Sequence, residues 1–149
     1  MRASIAGSIA AACAAFVVVL PAHSHDHATG VVKERMDLME AIGKRMKAIN
    51  TRIKDKQKLA AIKDDARAIS ASAAHIAHLF PPGSTQQPTD ARATIWKDFA
   101  DFERKAKALE VESAKLADTN PADFAAIRAQ ARILSQTCSA CHEAYRLKQ

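Results

Sequence analysis

Four glycines and five prolines in 149 residues leave little material for tight turns, and after residue 20 no β-branched or aromatic run reaches strand length. A sheet protein needs both, so this composition disfavours sheet architectures and favours helices. The chain is also too short for two domains of ordinary size. Charge of a single sign is missing as well. Lys and Arg number 22 against 16 Asp and Glu, and they alternate along "KERMDLMEAIGKRMK" and "DFERKAKALEVE". That mixing marks solvated helix faces and argues against a nucleic-acid-binding stripe. The one long apolar run, residues 5–20, follows Arg2 and is broken by Pro21, with "PAHS" after it. Such a run is too short for a membrane anchor and has the form of a secretory signal peptide.

Residues 1–24 are therefore expected to be removed, with cleavage near residues 22–24, leaving a 25–149 domain that is exported, periplasmic and not inserted in the membrane. Cys13 would leave with the signal, and its setting lacks the branched residue and small pair of a lipoprotein cleavage site. Loss of Arg2 lowers the formal charge of +6 by one, so the mature chain stays basic.

Four segments step by threes and fours. The first carries Val32, Met36, Met39, Gly43 and Met46, with Leu38, Ile42 and Ile49 on the adjoining stripe. The second runs from Leu59 through Ile62, Ala66, Ile69, Ala73 and Ile76 to Phe80, the third from Ile95 to Leu116, and the fourth from Phe124 through Leu134 to Tyr145. Each predicts an amphipathic helix. "FPPGSTQQPTD" interrupts the second and third, with Thr89 or Asp90 able to cap the third. "DTNPAD" puts Asn120 as a cap before Pro121 at the start of the fourth. Short connections make neighbours antiparallel, so the predicted fold is an all-α, up-down-up-down four-helix bundle. Alanines at 66, 73, 106 and 131 suggest a core with room for a large apolar guest.

The fourth helix holds "CSACH". Cys138, Cys141 and His142 fall at i, i+3 and i+4, on one helix face. That pattern suits covalent attachment of one c-type haem through two thioethers, with His142 as the proximal iron ligand. A thioredoxin-like pair would need a βαβ setting, and beyond this cluster a structural zinc site would find no further cysteine in the mature chain and no histidines paired at finger spacing. His75 and His78 sit at i, i+3 and read as solvated. "HSHDH" at 23–27 would place a histidine third in the mature chain after either cleavage, an arrangement able to hold Cu(II) or Ni(II).

A "CSACH" motif in the last helix of an exported four-helix chain resembles the class II cytochromes c, the family of cytochrome c prime and its low-spin, methionine-ligated relatives. The resemblance extends over "VVKERMDLMEAIGKRMKAI", "LFPPGS", "IWKDFADFERKA" and "CSACHEAYRLK". It implies a monohaem electron carrier, not an enzyme, whose sixth ligand comes from the first helix. Spacing leaves Met36, Met39 and Met46 open. The resemblance selects Met39, because Arg35 matches an arginine four residues before the distal position and Gly43 the small residue one turn after it. It also implies that Arg35 meets a propionate, that Trp96 and Phe99 form an aromatic pair at the haem edge or in the core, and that Arg146 packs beside the proximal imidazole. Partners would be redox proteins, with a homodimer through the first two helices open. The alternative is a five-coordinate protein binding nitric oxide or carbon monoxide, with no sulfur on the iron.

Overall fold

The computed structural model describes residues 28–148, so the expected signal peptide, Cys13 and the "HSHDH" segment lie outside the described residues. The first helix, α1 (Gly30–Asp55), ends where Lys56 adopts a left-handed conformation and its amide bonds back to Arg52 and Ile53. Lys58 is left-handed too, and these two residues turn the chain within a short span. A 3-10 turn (Leu59–Ala61) leads into α2 (Ile62–Ala73). The expected second helix is thus shorter than its apolar pattern. A further 3-10 turn (Ala77–Leu79) completes that pattern, and Ile76 and Phe80 remain buried.

The third helix is broken. Thr94–Lys97 forms a short α3, and α4 (Phe99–Asp118) begins anew after Asp98, whose φ of −133° and ψ of 58° leave helical space. The Asp98 carboxylate accepts the Asp101 amide and caps α4, the role expected of Thr89 or Asp90. The Thr89 hydroxyl accepts the Ala91 amide, and Asp90 pairs with Arg146. Likewise α5 (Phe124–Tyr145) is capped by Asp123, which accepts the Ala126 amide at 2.9 Å. Asn120 instead accepts from Ala122 in the preceding turn. Both corrections have one cause: several polar residues precede each helix, and the nearest aspartate with an unhindered amide three residues on takes the cap.

The long helices α1, α2, α4 and α5 pack in chain order as a four-helix bundle around Ile49, Ile62, Ile69, Leu116, Ile127 and Leu134, all nearly inaccessible to water. Each such side chain contributes about 1.5–3 kcal/mol through burial. At one end Phe102 centres an aromatic cluster, edge-on to Phe80 at 4.8 Å and to Tyr145 at 5.4 Å. The most extensive contact joins α2 and α4, which approach so closely that the short Ser70 hydroxyl reaches the Glu110 carbonyl at 3.1 Å. By contrast α1 and α5 barely meet. What fixes α1 is α2: buried Asp65 receives Arg45 at 2.9 Å and also Arg52, both from α1. No helix among the described residues is long and apolar enough to cross a membrane.

Candidate haem-binding cleft

The gap between α1 and α5 is a cleft of about 610 Å³, within the roughly 300–1,000 Å³ range of small-molecule and cofactor sites. One wall is α5, where Cys138, Cys141 and His142 face the cleft along successive turns. The opposite wall is α1, with Arg35, Met36, Met39, Gly43 and Met46. Ile76, Phe80, Phe102, Ala106 and Leu109 close the floor, and the loop segment Pro88, Thr89, Asp90 and Ala91 runs along one side. The methionine stripe of α1 therefore lines the cleft, while its fully buried positions are Val32, Arg35, Ile42 and Ile49.

The chemistry of the attachment wall follows from its burial. Both thiols are unbridged and half-buried. Burial pushes the Cys138 thiol up, and pushes Cys141 to about 11. Protonated thiols of this kind are slow partners in disulfide exchange, and no third and fourth ligand stand beside them among the described residues to complete a structural zinc site. Burial, and next the Arg146 charge, hold His142 below the ordinary histidine range, so its imidazole is neutral at pH 7 and keeps a lone pair for a metal. Two thiols and a neutral imidazole on one face of an apolar cleft fit a covalently attached haem.

Two arginines border the same space. Arg35 is 3% exposed, lies 4.8 Å over the Phe80 ring, and donates to the hydroxyls of Ser84 at 3.2 Å and Thr89 at 2.8 Å. Arg146 donates to Asp90 at 3.3 Å, and the backbone there pairs across: Arg92 donates to the Tyr145 carbonyl and Leu147 to the Asp90 carbonyl. The neighbours Thr89 and Asp90 thus hold arginines from opposite walls.

Trp96 and Phe99 do not line the cleft. The Trp96 indole donates to the carbonyls of Phe80 at 3.1 Å and Pro81 at 2.9 Å, and Phe99 packs on Phe102 at 5.9 Å. Both are thereby engaged with the core and the loop. His75 and His78 are exposed, and no group of three or more metal-capable side chains occurs among the described residues. Lys105 is among the lining residues that the sequence did not single out. Lys105 of α4 faces the cleft, having been read as part of a solvated charge pattern although it directly precedes Ala106 on the inward seam.

The geometry has counterparts in known proteins. A family model described as cytochrome C' matches residues 30–146. Cytochrome c-556 of Agrobacterium tumefaciens (strain II Chrys) is 36% identical over 121 residues, covering 80% of this chain and 98% of that protein. Cytochrome c' of Rhodospirillum rubrum is 34% identical over 143 residues, covering 93% and 95%. Among solved structures, the nitric oxide complex of a mutant cytochrome c prime from Alcaligenes xylosoxidans superposes with a TM-score of 0.71 at 29% identity, over 80% of this chain and 94% of that one. The chain belongs to the cytochrome c prime family, whose members are non-enzymatic proteins carrying one covalent haem c.

Proposed function

We propose that the mature chain, 25–149 after removal of a 1–24 signal peptide, is a periplasmic single-electron carrier in which His142 and Met39 would both ligate the haem iron. The observation that carries this reading is the placement of Met39 on α1 and His142 on α5, on opposite walls of one cleft. Cys138 and Cys141 would hold the haem by thioether bonds. Bound there, the haem supplies a one-electron ferric–ferrous couple. A thioether is a soft, neutral donor that favours the ferrous state, which raises the potential relative to two imidazoles. Arg35, held by two hydroxyls and the Phe80 ring, would meet a propionate, and Arg146 would lie beside the proximal imidazole. Trp96 and Phe99 would contribute indirectly, by fixing the loop and the aromatic floor. Electrons would pass to and from redox partner proteins, the basic surface steering acidic ones.

Met36 and Met46 line the same wall, so the choice of Met39 rests on the match of Arg35 and Gly43 to the family pattern. Absorption spectra test it. Sharp low-spin bands and a weak far-red sulfur-to-iron band are expected, and Met39→Ala should give a high-spin, carbon monoxide-reactive protein. A low-spin spectrum unchanged in that variant moves the ligand to Met36 or Met46. The second reading, a five-coordinate gas binder, is supported by the similarity to a cytochrome c prime solved with nitric oxide. A high-spin spectrum in the unmodified protein would establish it in place of the first.

A further inference from the structure

Lys105 sits where the attachment wall meets the floor. Its side chain is three-quarters buried and lines the cleft, and its ammonium lies 3.6 Å from one oxygen of Asp101. Asp101 is heavily engaged: Tyr145 donates its hydroxyl to the same carboxylate at 2.6 Å, and Arg104 bonds to the other oxygen. Two cations and one hydroxyl therefore share a single negative charge, and the cluster carries a net charge of +1. Of its two cations, Arg104 is 73% exposed and absent from the cleft, whereas Lys105 is the one turned inward.

We infer that Lys105 is a potential-setting residue of the haem site, a cation fixed on the cleft wall by Asp101 and Tyr145 that disfavours the ferric state. Reduction adds one electron, delivered by the external reductant, and requires no proton from this cluster. A charge on a side chain largely removed from water is screened less than a surface charge. Its effect is therefore larger than that of an exposed lysine on the same helix. Arg35 and Arg146 are the other lining cations; Arg146 is paired with Asp90 at the cleft edge, and Arg35 is held by the loop residue Thr89. The inference rests on haem attachment in this cleft and holds with or without Met39 on the iron.

Potentiometric titration of the holoprotein with optical readout tests it, using Lys105→Gln beside Arg104→Gln. Removing the inward charge should shift the oxidised-to-reduced ratio at fixed ambient potential toward the oxidised form by about tenfold, or 59 mV for a one-electron couple. The shift should persist when salt is raised from about 0.01 M to 0.5 M. Arg104→Gln, which removes a charge from the same carboxylate on its solvent side, should shift the ratio less than about twofold. Equal shifts in the two variants, or none in Lys105→Gln, would overturn the inference. The ligand-field bands in each variant report the iron's coordination separately, so a failure of the Met39 assignment is read independently.

Discussion

The position of α1 relative to the rest of the bundle depends on Asp65, and Asp65→Asn measures how much. The wild-type carboxylate is 3% exposed and binds two arginines of the neighbouring helix. Arg52 is 26% exposed and Arg45 54%, so the two contacts differ in value. A charge-assisted hydrogen bond in the buried pair contributes about 1.5–3 kcal/mol, and the exposed Arg45 contact about 0.5–1 kcal/mol. Asparagine keeps the shape and removes the charge, giving an expected loss of roughly 2–4 kcal/mol. At about 3–5 °C per kcal/mol for a domain of this size, melting falls by roughly 6–20 °C. Holoprotein melts followed by circular dichroism at 222 nm give the number, and a double-mutant cycle with Arg52→Gln should return a coupling above about 1 kcal/mol. Arg45→Gln should cost less than about 1 kcal/mol. On the proposed ligation by Met39, a residue of α1, a loosened α1 should also raise the high-spin fraction before the bundle melts. An Asp65→Asn protein within about 0.5 kcal/mol of wild type, or a cycle without coupling, would refute the assignment of α1's anchorage to this carboxylate.

Two further expectations follow from the aromatic end of the bundle. Burial, reinforced by the hydrogen bond to Asp101, raises the Tyr145 phenol above its ordinary value. The stability it contributes is complete below about pH 10, where the unfolded tyrosine ionises, and is lost as pH rises toward the folded value. Melting temperature should therefore fall more steeply above about pH 10 in wild type than in Tyr145→Phe, and identical alkaline slopes would contradict this. Trp96→Phe removes the indole donor from the Phe80 and Pro81 carbonyls, at a cost of about 1–2 kcal/mol. Amide exchange should then quicken in residues 81–93 while α5 stays protected.

The bundle and its attachment residues were legible because both are periodic. Helical phase alone places Cys138, Cys141 and His142 together, and the inward stripes of all four segments reappear in the core or the cleft. The stops within those stripes were not legible. Apolar spacing continues through Asp98 and through residues 74–80, but backbone geometry there is decided by local hydrogen bonds that hydrophobic pattern does not encode. Lys105 was obscured differently, and Arg35 was marked by the family resemblance and not by its helical phase. A charged residue on an inward phase reads as a helix face grazing solvent unless its partners are known, and those partners, Thr89 and Asp101, come from a distant loop and a preceding turn.

The close approach of α2 and α4 has a geometric corollary. Four helices joined by equal side-chain spacers form a square in cross-section with little space inside. Here Ala66 and Ala73 of α2, Ala106 of α4, and the buried Ser113 keep one side of the figure short. A short side skews the square into a trapezoid, whose long side is the opposite one, between α1 and α5. The volume available to a porphyrin is thus set by residues of which most never touch it. Enlarging Ala66 or Ala73 would push the skew back toward a square and narrow the opening from behind.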